Sequence, residues 1–259
     1  MVVDYLKYGS FAKVYDKMMD EVPYEEWMEY IEEIFARFKV KPEIVLELGC
    51  GTGNMTNLFA KKGYETIGID LSEEMLAIAR EKAAEENLEV LYSCQDMRDF
   101  ELYGTVGCVV ALCDSINYII EEDDLLEVFR LVNIYLDPKG LFVFDMNTEH
   151  KFKNSMSDNI FAQALEDCAY IWENYYYEEE KINEYKITLF IEDNNSYKRS
   201  EELHYEKAYS IDTVVNLLKK AGMTVEGVYA EQSFLYPDEK TERIYFVARE
   251  NGKQKKIKE

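Results

Sequence analysis

The part of the chain with the most chemical potential is Val45-Leu-Glu-Leu-Gly-Cys-Gly-Thr-Gly-Asn. Its glycines, Gly49, Gly51 and Gly53, alternate, and Glu47 stands two residues before the first. Such a run lets backbone turn sharply and approach a ligand closely, because glycine carries no Cβ. The dinucleotide fingerprint GxGxxG is broken here. Counted from Gly49 its third glycine falls on Asn54, and counted from Gly51 it falls on Thr56. Two later acids extend the pattern. Asp70 closes Ile67-Gly-Ile-Asp, where a carboxylate can accept both hydroxyls of a ribose. Asp96, in Cys94-Gln-Asp-Met, can accept from an adenine amino group while Met97 covers the ring. Asp70 alone would also suit a dinucleotide enzyme; Glu47, the broken fingerprint and Asp96 together argue against one.

These residues need elements that bring them to one place. Trp27, Ile31, Ile34, Phe35 and Phe38 recur at helical spacing, and Lys39 to Pro42 ends that pattern. A strand-length run from Glu43 leads into the glycines. Met55, Leu58 and Phe59 then mark a helix that Gly63 stops. The alternation repeats with a strand over 64–69 and a helix capped by Ser72, its first turn acidic and its buried stripe Met75, Ile78, Ala79 and Ala83. Further strands are expected over 88–93 and 106–112, and a helix over 122–136. Pro138-Lys-Gly then turns the chain into a strand from Leu141. Strands separated by helices predict an α/β fold, a mostly parallel sheet covered on both faces. Right-handed crossovers place the strand C-terminal ends on one edge, where Glu47, the glycines, Asp70 and Asp96 would meet.

The rhythm changes after Asn147. Residues 166–209 hold eight tyrosines and one tryptophan, and 169–177, 183–192 and 197–207 read as three successive strands with short turns. This predicts an antiparallel insertion within a single domain spanning 1–259, preceded by an N-terminal helical segment over 1–40. Ser210 caps a helix through Ala221, and strands over 224–230 and 243–248 should pair antiparallel. The lysines from 253 to 258 read as a frayed, solvated end.

Composition narrows the function. The chain has 259 residues, with 29 Lys and Arg against 52 Asp and Glu, a net charge of −23. That field argues against gripping nucleic acid through its phosphates. Five cysteines without CxxC spacing and two histidines argue against a disulfide framework or a zinc site, and favour a reducing cytoplasm. The longest uncharged apolar stretch, 105–113, is far short of the roughly 20 residues that a membrane span needs.

On these motifs the sequence resembles the class I S-adenosylmethionine-dependent methyltransferases. Glu47-Leu-Gly-Cys-Gly-Thr-Gly matches their first motif, Gly68-Ile-Asp70 their ribose acid, and Gln95-Asp96-Met97 their adenine loop. Asp137-Pro-Lys-Gly-Leu-Phe-Val-Phe resembles their fifth-strand motif. The resemblance implies a Rossmann-like seven-stranded sheet with an antiparallel final pair, and S-adenosylmethionine as cofactor. It implies cofactor contacts from Glu47, Gly49, Cys50, Gly51, Gly53, Asp70, Leu71, Met75, Asp96, Met97, Leu112 and Cys113. Among these enzymes the chain is most similar to small-molecule members, including amino-sugar and glycine N-methyltransferases, which carry a β insertion after the fifth strand. Their N-terminal Tyr-x₃-Ala-x₂-Tyr-Asp element is matched near Tyr8, Tyr15 and Asp16. Tyr8 and Tyr15 are therefore candidates for closing the cofactor site, the alternative being an amphipathic helix that uses both rings for packing.

Methyl transfer from a sulfonium is an in-line displacement that needs alignment, water exclusion and disposal of a proton, with no covalent enzyme intermediate. Asp114, Asn117 and Tyr118 follow the fourth strand on the acceptor side, with Tyr118 a candidate catalytic residue. The Asn/Asp-Pro-Pro-aromatic motif of nucleic-acid amino methylases is absent, and residues 166–209 carry 12 acids against 5 bases. The insertion would then form a substrate wall or lid whose tyrosines and carboxylates suit a small, amine-bearing acceptor. His204 could take the acceptor's proton, or simply face solvent. The alternatives are an O-methyltransferase, a protein or RNA methyltransferase, and a non-catalytic S-adenosylmethionine sensor.

Overall fold

Short β-branched runs and amphipathic helices settle into the expected alternation. The computed structural model describes residues 11–194 and 196–253, so Tyr8 and the lysines beyond 253 lie outside the described residues. In chain order the elements are α1 (Ala12–Met18), α2 (Tyr24–Phe38), β1 (Ile44–Leu48), α3 (Asn54–Lys61), β2 (Glu65–Asp70), α4 (Glu73–Glu85), β3 (Val90–Cys94), β4 (Val106–Ala111), α5 (Glu122–Tyr135) and β5 (Leu136–Asn147). Then come β6 (Ile160–Ala164), β7 (Cys168–Tyr177), β8 (Ile182–Asp193), β9 (Ser196–Lys207), α6 (Ile211–Lys220), β10 (Met223–Ala230) and β11 (Arg243–Glu250). The described residues form a seven-stranded sheet in the order β10-β11-β5-β4-β1-β2-β3. All its pairings are parallel except those of β11, which runs antiparallel to both β10 and β5.

Helices cover both faces of this sheet. On one, Phe129 of α5 packs edge-on to Phe142, and Phe144 stacks on Phe246 at 5.0 Å; Val214 and Leu218 of α6 share that core. On the other, Trp27, Ile31 and Phe35 of α2 meet Phe59 of α3 over Val45, Val110 and Val143. Burying several large side chains on each face, at about 1.5–3 kcal/mol apiece, supplies much of the drive that holds the strand ends in register. The caps follow the sequence: Ser72 Oγ accepts the Met75 N–H at 3.2 Å and Ser210 Oγ that of Thr213 at 3.1 Å.

The inserted sheet has the order β6-β7-β8-β9, antiparallel throughout. It therefore holds four strands where the sequence predicts three. β6 escapes detection because every residue of it is exposed, so it shows no alternation. The inner face, with Tyr185, Ile187 and Leu189, buries Phe11 and Val14, so α1 is packed between the inserted sheet and Met75 of α4. Pro138-Lys-Gly turns the chain as expected, though within the bounds of β5: residues 137–140 pair with neither β4 nor β11, and Lys139 has φ +68°. One local expectation changes. Lys253 is not frayed: its ammonium donates to the Asn133, Ile134 and Leu136 carbonyls at 2.5–2.7 Å, at the C-terminal end of α5 where the helix dipole favours a cation.

Candidate active site

A cavity of about 220 Å³ opens at the C-terminal edge of the parallel strands, beneath α1 and against the inserted sheet. Its floor is the glycine turn. Gly49 and Gly51 have φ +69° and +52°, and a Cβ on Gly49 would lie 2.6 Å from the Ser115 Cβ. Side chains there would strain the backbone and fill the floor, so glycine keeps it bare. Asp70 ties the tip of β2 to this turn: Oδ2 accepts the Gly51 N–H and Oδ1 the Ser72 N–H, each at 2.8 Å. Burial raises the Asp70 carboxyl pKa, and the backbone N–H groups of Ser72 and Gly51 oppose that rise. Leu71, Met75 and Met97 supply apolar wall.

Asp96 stands on the same wall, although its carboxylate is engaged by a residue that the sequence reading passed over. Arg98 donates to it from Nε at 3.0 Å and from Nη2 at 2.5 Å. Burial works against ionisation, but this guanidinium prevails and holds the Asp96 carboxyl below its ordinary range. The roof comes from α1 and its flanks, through Phe11, Tyr15, Met18 and Met19. Asp16, beside Tyr15, accepts from Thr52 Oγ at 2.6 Å, Asn54 Nδ2 at 3.0 Å and Lys82 Nζ at 2.9 Å, which fastens the roof to the glycine turn.

The far end is polar and crowded. Cys113 and Asp114 leave β4 with consecutive positive φ angles, 58° and 55°, a conformation unusual for residues with side chains. Arg243, on β11, offsets its strain by binding both Asp114, at 2.7 Å, and the fully buried Asp145. The Asp114 N–H also donates to Asp145 at 3.1 Å. Burial disfavours charge on Asp114, yet Arg243 lowers its pKa; Asp145, buried beside another carboxylate, is raised. The 3₁₀ turn Ser115–Tyr118 aims Tyr118 at the inserted sheet, where its hydroxyl is hydrogen-bonded to that of Tyr185. Trp172, Tyr185 and Ile187 complete the wall.

Comparison with known proteins gives this geometry a context. Residues 45–140 match the family described as "Methyltransferase domain". The chain is 35% identical over 246 residues to a putative methyltransferase of Geobacillus sp. (strain WCH70), covering 94% of this chain and 100% of that one. It is 31% identical to a crystal structure of an S-adenosylmethionine-dependent methyltransferase from Clostridium acetobutylicum ATCC 824, with a TM-score of 0.85 over 95% of this chain and 99% of that one. The chain belongs to the S-adenosylmethionine-dependent methyltransferases. The fold of the methyltransferase is also similar to a sugar N-methyltransferase from Streptoalloteichus sp ATCC 53650, at 16% identity, 95% coverage of each chain and a TM-score of 0.75.

The methyltransferase brings Tyr15, Gly49, Gly51, Asp70, Leu71, Met75, Asp96, Met97, Cys113 and Tyr118 to the cavity wall. A bare floor, a carboxylate at one side and thioether and leucine walls fit S-adenosylmethionine, whose nucleoside needs a flat apolar slot and a ribose acceptor. Glu47, Cys50, Gly53, Leu112 and His204 lie off that wall. Glu47 is buried beneath the turn, accepts from Thr56 Oγ, and is pushed up to about 8 by burial. Cys50 packs with Leu76, Ala79 and Tyr92, and Gly53 caps α3 where a Cβ would strike the Tyr92 hydroxyl at 2.3 Å. Leu112 belongs to the core beneath α2. Asn117 is also turned away: its amide bonds the Asn147 backbone N–H and the Asn147 and Lys207 carbonyls.

His204 neither faces solvent nor lines the cavity of the methyltransferase. It is 5% exposed, stacks on Tyr185 at 5.0 Å, and places Nδ1 3.4 Å from the Tyr118 hydroxyl. Arg98, Glu206 and Arg243 are polar residues of this region with no expected role, and Tyr185 was expected on the substrate wall only as one of the insertion's tyrosines. Glu206 was one of many acids. Arg243 gave no local signal, since its partners are 129 and 98 residues away in sequence.

Proposed function

We propose that the methyltransferase acts on a small-molecule acceptor, with an amine the class best suited, by direct in-line transfer inside this cavity. The observation that carries the reading is the single cavity that runs from the glycine turn and Asp70 to Trp172, Tyr118 and Tyr185 on the inserted sheet, roofed by α1. A polymer would have to thread beneath that roof; a small molecule need not. The aromatic faces of Trp172 and Tyr185 suit a cationic or partly cationic amine, and the likeness of fold to a sugar N-methyltransferase supports the same reading.

In this reading Asp70 holds the ribose hydroxyls, Asp96 and Met97 the adenine, and Tyr15 and Cys113 border the sulfur end. S-adenosylmethionine supplies a methyl group on an already activated leaving group. The protein's own part is orientation. Gly49 and Gly51 leave room at the sheet edge, α1 excludes water, and the Cys113–Asp114 bend sets the distance to the acceptor wall. Alignment of two bound reactants contributes roughly 7–11 kcal/mol to such reactions, so no nucleophilic side chain is required.

Incubating the protein with methyl-labelled S-adenosylmethionine and a fractionated cell extract tests the reading. Label should enter the low-mass fraction, and S-adenosylhomocysteine should form only when that fraction is present. Label confined to protein or RNA, or cofactor binding without any transfer, would overturn it.

A further inference from the structure

A methylated amine or hydroxyl must lose a proton, and at the acceptor end of the cavity two hydroxyls lead inward to a buried carboxylate. We propose that Tyr118, Tyr185 and Glu206 form a proton-accepting chain that carries the acceptor's proton from the cavity into the inserted sheet. The proposal rests on the acceptor-end reading given above. Three elements converge to build the chain: the turn after β4 supplies Tyr118, β8 supplies Tyr185 and β9 supplies Glu206. The two tyrosine hydroxyls are hydrogen-bonded to one another, and the Tyr185 hydroxyl donates to Glu206 Oε1 at 2.7 Å. Tyr118 and Tyr185 both line the cavity, whereas Glu206 is 2% exposed behind them.

The chain has a direction. An ionised carboxylate can only accept, so Tyr185 must donate to Glu206, and the Tyr185 oxygen is then left to accept from Tyr118. In the transfer step the acceptor's N–H or O–H bond breaks and its proton bonds to the Tyr118 oxygen. The Tyr118 proton passes to the Tyr185 oxygen, and the Tyr185 proton to the Glu206 carboxylate. Each broken bond leaves its electron pair on the atom that gave up the proton, so both tyrosines end neutral and Glu206 ends as the acid. When product leaves and the cavity opens, the reverse sequence returns that proton to water.

The surroundings of Glu206 suit an acid that changes charge within the working range of pH. Burial and then the negative charge of Asp114 push it up to about 8, against the Tyr185 hydroxyl, the Asn147 amide and the Lys151 ammonium, which favour the ion. Lys151 is itself 2.9 Å from Asn147 Oδ1 on the opposite side. Arg243 is committed to Asp114 and Asp145, and His204 faces the tyrosine pair. Because the accepting form is the carboxylate, it gains population as pH rises through about 8. A residue retained for hydrogen bonding alone would work equally well as glutamine.

Infrared difference spectroscopy on the full chain with S-adenosylhomocysteine bound separates the two. Beside the band of Glu47, which burial pushes into the same range, the wild type should show a second carboxylic-acid C=O band that disappears as pH rises through about 8 and is missing in Glu206→Gln. After a pH jump, loss of that band should be slowed roughly 100-fold in Tyr118→Phe, the lower end of what a positioned proton carrier contributes. Near-UV circular dichroism identifies any variant that misfolds, and Tyr185→Phe then serves as the second interruption. A spectrum unchanged by Glu206→Gln, or equally fast deprotonation in both tyrosine variants, would overturn the chain while S-adenosylhomocysteine still binds. Label from methyl-labelled S-adenosylmethionine confined to protein or RNA would instead overturn the acceptor-end reading on which the chain rests.

Discussion

Asp70 holds two backbone N–H groups and still borders the cavity, so the carboxylate that shapes the glycine turn is also the one proposed to hold the ribose. Hydrogen bonds to a charged group contribute about 1.5–3 kcal/mol. Asp70→Ala should therefore weaken S-adenosylmethionine binding roughly 10- to 150-fold in a folded protein, measured by calorimetry. An unchanged dissociation constant would refute the ribose role. Glu47 is a different kind of acid. It lies under the turn against Thr56, and burial pushes it up to about 8 from an ordinary 4.5. The folded chain therefore keeps this proton at pH values where the unfolded chain has lost it. The contribution of Glu47 to stability is complete below about 4.5 and is lost as pH rises towards about 8. Thermal melting across that window should show a decline that Glu47→Gln flattens; an identical pH profile in the variant would show that Glu47 titrates normally.

At the scale of elements, α1 roofs the cavity. Its polar attachment to the glycine turn runs through Asp16 to Thr52, Asn54 and Lys82, and Lys17 adds an exposed pair with Asp167 of the insertion. The Asp16–Lys82 pair is partly exposed and screened by solvent, so the hydrogen bonds supply most of the attachment. Asp16→Ala should speed S-adenosylhomocysteine release roughly tenfold in stopped-flow experiments, since about 1.4 kcal/mol is a factor of ten. Release at the wild-type rate would mean that apolar packing alone holds the roof. The elements themselves were largely legible. Helical spacing announced α2 through α5, the glycine turn fixed where β1 ends, and short acidic turns betrayed β7 to β9. β6 was not legible because all its residues are exposed, and Arg243 was not because its acids lie on other strands. Glu206 and its neighbour Glu202 look alike in sequence; position behind Tyr185 distinguishes the former, and that is a tertiary fact.

Over the whole molecule, a charge of −23 makes the surface a sink for cations. S-adenosylmethionine carries net positive charge and S-adenosylhomocysteine does not. The association rate of the first should fall as salt rises, while that of the second stays nearly flat, because screening acts on the steering of a charged ligand. Equal salt dependence for both would place the attraction elsewhere. Among the described residues no helix is long and apolar enough to cross a membrane. The order of strands carries one more consequence. β11 comes last of the described strands yet sits inside the sheet, between β5 and β10, and it delivers Arg243 to Asp114 and Asp145. A ribosome makes the glycine turn well before this arginine. A nascent chain stalled before residue 243 holds two acids in want of a countercharge and a sheet with a gap, so a premature stop codon there yields an inert product, not a partly working one.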